Sequence, residues 1–117
     1  MENKDIIKIA VKAIDSKKGT DIQIIKIADL TIIADYFIIA TGTSSTQVRA
    51  LADEVEFKLS EAGVEPHHIE GEKSNWVCLD YLGVVIHIFY KDQREFYQLE
   101  RLWEDGEQID LKDFLED

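Results

Sequence analysis

The sequence predicts one α/β domain, a mixed sheet of about five strands flanked by helices. Three observations predict it. Residues 76–90 hold two β-branched and aromatic runs on either side of Leu82-Gly83, which reads as a β-hairpin. Asp35-Tyr36-Phe37-Ile38-Ile39-Ala40-Thr41 is nearly all apolar, as a central strand buried on both faces should be. Directly after it, Ser44-Ser45-Thr46-Gln47 matches a capping box and opens a stretch of helical period, so this strand feeds a crossover helix.

Taken in order, Asn3 is placed to cap a first helix that runs to about Lys17. Ile6, Ile7, Ala10, Val11, Ala13 and Ile14 give it one broad apolar stripe. Lys17 and Lys18 suit the negative end of its dipole, and Gly19 sits where a left-handed stop belongs. Residues 21–27 read as a strand, and residues 28–34 are ambiguous between a turn and a short helical piece. The helix capped by Ser44 carries Val48, Leu51, Ala52, Val55, Leu59 and Ala62 at helical spacing and ends at Gly63. Pro66 confines the short strand before Gly71 to an edge. Residues 72–75 make a polar turn into the hairpin. After Tyr90, Asp92 can cap a short helix through Arg94, Phe96, Tyr97, Leu99, Leu102 and Trp103. The chain divides at about residue 104. Residues 105–117 form an acidic C-terminal tail, whose Ile109, Leu111, Phe114 and Leu115 should let it dock in part or order on a partner.

At 117 residues the chain is long enough for one real core. It holds no apolar run of membrane-spanning length, and Met1-Glu2-Asn3-Lys4-Asp5 does not read as a signal peptide. A lone cysteine, Cys78, excludes an internal disulfide and fits a reducing compartment, so a cytoplasmic location is expected. The formal net charge of −11 argues against direct binding to nucleic acid or anionic lipid and favours a basic partner. The same charge can also serve solubility alone.

The hairpin carries the most pointed functional signal. With a two-residue loop, Val77, Leu79, Tyr81, Val84, Ile86 and Ile88 share one face and read as core. The other face sets Trp76 against Phe89, Cys78 against His87 and Asp80 against Val85. That face is a functional surface or a half-covered one. Asp80 and His87, about 7–8 Å apart on a diagonal, could form an acid–base pair, and Cys78 beside His87 a nucleophile pair. No oxyanion element or signature accompanies them. Gly42-Thr43-Ser44-Ser45 could hold an anion at a helix N-terminus, yet it has neither a Walker lysine nor a dinucleotide glycine pattern. His67 and His68 point to opposite faces of a strand, so no metal and no cofactor are expected.

Several spaced blocks resemble one family. Asp35 to Ser44 followed by Gln47-Val48-Arg49-Ala50 is similar to its DYF-I-ATG-S--Q--A block. Glu70-Gly71, Trp76-Val77, Asp80 and Val84 to Phe89 resemble its EG, WV and D--VV-H-F blocks, and Arg94 to Trp103 its RE-Y-LE-LW ending. The family is the ribosomal silencing factors, also called RsfS or Iojap. The blocks span about residues 1–104, and the chain departs at Leu82-Gly83, where many members carry Gly-Asp. The resemblance implies a fold similar to nucleotidyltransferases without their catalytic carboxylates, and a protein that is not an enzyme. It also implies binding to the large ribosomal subunit through ribosomal protein fourteen, which blocks joining of the small subunit and represses translation under nutrient limitation. The alternative is a nucleotide-binding or nucleotidyltransferase-like enzyme using residues 42–45 with Asp80 and His87. The free protein is left open between monomer and homodimer. Expected contact residues are Trp76, Asp80, Tyr81, Leu82, Arg94 and Tyr97, with Tyr81 and Leu82 at an exposed hairpin tip.

Overall fold

A computed structural model describes residues 1–72 and 74–115, without the side chains of residues 96, 97 and 102. The chain runs α1 (Asn3–Ser16), β1 (Thr20–Lys26), β2 (Tyr36–Gly42), α2 (Ser45–Glu61), β3 (His68–Glu70), β4 (Trp76–Asp80), β5 (Val84–Tyr90), α3 (Lys91–Tyr97), α4 (Leu99–Leu102), β6 (Glu107–Ile109) and α5 (Lys112–Leu115). Six strands form one mixed sheet in the order β3-β4-β5-β2-β1-β6. Among the described strands only β2 and β5 pair in parallel; the other neighbours are antiparallel. The sixth strand comes from the acidic C-terminal segment, where Ile109 pairs with Ile24 and Glu107 with Lys26.

Strand alternation divides the apolar residues between two cores. Ile24, Ile38, Ala40, Val84, Ile86 and Ile88 face α1 and α2, whose Ile7, Ile14, Val48, Leu51, Val55 and Leu59 are fully buried against them. Each such aliphatic side chain contributes about 1.5–3 kcal/mol when removed from water. Ile25, Ile27, Phe37, Ile39 and Phe89 face the opposite way, under Leu99, Trp76 and Trp103. The central strand β2 is buried on both sides, as its composition predicts.

Three local expectations are corrected. Glu2, not Asn3, occupies the N-cap of α1, and its backbone N–H donates to Asp5 Oδ2 at 3.2 Å. Asn3 instead donates from Nδ2 to Asp35 Oδ2 at 2.8 Å, tying α1 to the start of β2. The left-handed residue after α1 is Lys18 (φ 65°), and Gly19 is required by space, since a Cβ there would strike Ile14. After β5 the helix starts at Lys91, with Tyr90 in the cap position and Asp92 in the first turn. It breaks at Gln98, which takes a left-handed conformation (φ 48°) between α3 and α4.

The ambiguous segment 28–34 is a loop. Ile27 and Ala28 N–H both donate to Asp35 O at its neck, and Leu30 and Thr31 N–H donate to Ile27 O. Too few backbone bonds run along it for a helix.

Candidate interaction surface

The hairpin has the expected register: Trp76 opposite Phe89, Cys78 opposite His87 and Asp80 opposite Val85. Its turn is closed by Tyr81 N–H donating to Val84 O at 2.9 Å. The positive φ falls on Leu82 (69°) and not on Gly83. A leucine held there costs about 1–2 kcal/mol. Asp80 supports it, its Oδ1 accepting from Leu82 N–H at 2.8 Å. Gly83 is glycine for room, because a Cβ would run into the Asn3 side chain. Gly83 O then accepts from Asp35 and Tyr36 N–H at 2.9 and 3.0 Å, so the tip is fastened to β2. The result is a Leu82 side chain held 60% exposed on a rigid turn.

The second face of the hairpin is half covered. Trp76 stacks on Phe89 at 4.7 Å, and its indole N–H donates to His87 Nδ1 at 3.1 Å. That bond leaves the ring proton of neutral His87 on Nε2, a buried atom with no partner among the described residues. Phe37 packs edge-on against His87 at 4.8 Å and against Trp103 at 5.4 Å. Burial pushes the His87 pKa down to about 4, opposed in part by the Asp80 charge. Burial pushes the Cys78 thiol up to about 11, and the Asp80 and Glu70 charges add to the rise. The thiol is therefore protonated near neutrality, and His87 is occupied by Trp76. Neither is poised for nucleophilic or acid–base work.

The six expected contact residues do not form one patch. Asp80 and Leu82 sit at the tip. Trp76, half-buried, lies at the far end of β4, about 13 Å along the strand from Asp80. Tyr81 is not free at the tip. Alternation turns it to the side of Val77 and Leu79, where it is only 6% exposed. Burial, then the Glu56 and Glu65 charges, raise its pKa to about 12. Arg94 is buried as well, at the opposite end of the sheet. Its Nη1 donates to Thr41 Oγ1 at 2.6 Å and to Asp21 O, and its Nε donates to Glu100 Oε1 at 3.5 Å. It clamps α3 to β1 and β2. The side chain of Tyr97 lies outside the described residues.

The loop at residues 42–45 is filled by its own side chains. Ser44 Oγ accepts from Gln47 N–H at 3.0 Å, as the capping box requires. Gln47 Oε1 accepts from Thr43 N–H at 2.6 Å and from Thr43 Oγ1 at 2.9 Å. Gln47 Nε2 donates to Lys17 O and Lys18 O, joining the end of α1 to the start of α2. The Thr43 amide is thus committed to Gln47. Among the described residues no group of three or more His, Cys, Asp or Glu side chains could hold a metal ion. No helix among them is long and apolar enough to cross a membrane.

Over residues 1–117 the sequence matches the model of a family described as "Ribosomal silencing factor during starvation". The chain belongs to the ribosomal silencing factor family. The match runs on through the acidic segment that the spaced blocks did not reach. A ribosomal silencing factor of Halalkalibacterium halodurans is 38% identical over 113 residues, covering 96% of this chain and 97% of that protein. A mouse protein named "Mitochondrial assembly of ribosomal large subunit protein 1" is 31% identical over 101 residues, covering 83% of this chain and 44% of that one. A crystal structure of protein CV0518 from Chromobacterium violaceum superposes with a TM-score of 0.86 at 40% identity, covering 94% of this chain and 92% of that one.

The loop at residues 28–34, ambiguous in the sequence, presents apolar surface outside the six expected contact residues. Leu30, Ile32 and Ile33 are all exposed there. Three large aliphatics in a segment that fits neither the helical nor the strand period were the available signal.

Proposed function

We propose that this protein binds the large ribosomal subunit through ribosomal protein fourteen, at the surface the small subunit would contact. It thereby blocks subunit joining in the cytoplasm and represses translation when nutrients are scarce. It acts by occupying space, with no catalytic step. Asp80 and Leu82 at the hairpin tip, with the outer edge of Trp76, make the contact. Tyr81 and Arg94 support the fold from inside, and Tyr97 belongs to the helix beside Arg94.

The observation that carries the reading is the family match over residues 1–117, and Leu82 offers this chain a point of contact. A large aliphatic side chain is held in water by a strained, well-bonded turn, which has no use for folding and suits docking. Family membership supplies the ribosome as the setting. The mouse relative's name, which specifies the large subunit, agrees with the choice of subunit.

Co-sedimentation with isolated subunits tests it. The protein should travel with large subunits, not small ones, and should lower the yield of joined ribosomes. Leu82→Asp should weaken that binding at least tenfold with an unchanged melting temperature, since aspartate tolerates the left-handed conformation better than leucine. Equal sedimentation with both subunits, or unaltered subunit joining, would overturn the reading.

A further inference from the structure

Among the described residues, six large apolar side chains stand out as exposed: Met1, Leu30, Ile32, Ile33, Phe57 and Leu82. Met1, Leu30, Ile32, Ile33 and Leu82 sit on three segments gathered at one end of the sheet. That end is set by the starts of the parallel strands β2 and β5. Gly83 O, in the hairpin tip, accepts from Asp35 and Tyr36 N–H, where the loop enters β2. Asn3 lies against Gly83 and bonds Asp35, bringing the start of α1 to the same place. The loop at 28–34, the tip and the start of α1 are therefore neighbours held by hydrogen bonds. Ile32 is fully exposed and Ile33 is 64% exposed. Apolar exposure concentrated this way marks an interaction surface, whereas scattered exposed residues do not.

We propose that the β1–β2 loop and the hairpin tip form one apolar docking face for a basic protein surface, with Ile32 and Ile33 joining Leu82 as anchors. The inference rests on the ribosome-binding reading and extends its contact surface to a second segment of chain. The charges at this end choose the occupant. Glu2, Asp29, Asp35 and Asp80 rim it, against Lys4 and Lys26. A second copy would bring like charges together across the contact, on top of −11 per chain. RNA and anionic lipid are repelled by the same rim. A basic protein surface with an apolar centre satisfies both the rim and the side chains it surrounds.

Binding of the full chain to isolated large subunits is measured for wild type, Ile32→Asp, Leu82→Asp and Phe57→Asp. Thermal melts check folding, and sedimentation of the free protein checks self-association. Phe57 is the exposed aromatic on α2, outside both the loop and the hairpin tip. Ile32→Asp and Leu82→Asp should each bind at least tenfold more weakly with unchanged melting, while Phe57→Asp binds as wild type does. If Leu82→Asp is impaired and Ile32→Asp is not, the loop is no part of the face; the inference falls and the ribosome-binding reading stands. If wild type does not bind large subunits, both fall. If the free protein is a dimer that Ile32→Asp splits while subunit binding is kept, the face belongs to a second copy and the inference is overturned.

Discussion

His87 is neutral because it is buried and because Trp76 holds its Nδ1 as an acceptor. Its pKa falls to about 4 in the folded chain from an ordinary 6.5. Between those values the unfolded chain binds the proton and the folded chain does not. Stability therefore rises with pH through that window and is lost on acidification from about 6.5 toward 4. The full shift corresponds to roughly 3 kcal/mol. Denaturant unfolding at pH 7 and pH 4.5 should show His87→Gln, which keeps an acceptor for the indole, losing about 2 kcal/mol less than wild type on acidification. Equal losses would show that His87 is not the titrating group. The pairing of Cys78 with His87 was readable from the sequence, because a two-residue loop fixes the register. The backbone at the tip was not. A glycine in a turn can serve a positive φ or a close approach, and these are indistinguishable in sequence. At both Lys18-Gly19 and Leu82-Gly83 the residue before the glycine takes the positive φ, and the glycine makes room for a side chain from α1.

Among the elements, those with a long period were the legible ones: α1, α2, β2 and the β4–β5 hairpin each carry five or more residues of consistent pattern. The helix after β5 breaks where sequence gave no warning, since the break at Gln98 comes without glycine or proline. Arg94 illustrates a related limit. An arginine after an aromatic strand resembles an interface residue, and only the fold brings Asp21 O and Thr41 Oγ1 to its guanidinium. The acidic C-terminal segment has a comparable hidden role. Its hydrophobic residues promised partial docking. The structure gives them a place, with Ile109 in the edge strand β6 and Phe114 buried against α1 through α5. Phe114→Ala should cost about 3 kcal/mol of stability and leave subunit binding intact once corrected for the folded fraction. A neutral effect on melting would show that α5 does not pack on α1 in solution.

Across the whole molecule, charge and shape act together. The net charge of −11 is plain in the sequence, but its arrangement depends on the fold. Residues 104–117 hold seven acids and one lysine. Because β6 pairs with β1, Glu107 is set beside Lys26, at the same end of the sheet as the hairpin tip. A partner approaching the apolar face thus meets a fixed negative field, in contrast to a loose tail. Such a field raises the rate of encounter more than the lifetime of the complex, and it decays over about 8–10 Å at physiological salt. Association with large subunits should accordingly slow steeply as salt rises, with dissociation changing little. Truncation after Trp103 would remove an edge strand along with the charge and confuse the two. The triple substitution Glu104→Gln, Asp105→Asn and Glu107→Gln keeps side-chain size and changes only charge. It should slow association several-fold at low salt, flatten the salt dependence, and leave dissociation close to wild type. These rates can be followed by stopped-flow measurement on labelled protein. An association rate indifferent to salt in wild type would mean that the acidity serves solubility alone. A variant whose dissociation quickens instead would place these carboxylates inside the contact, paired with cations of the partner.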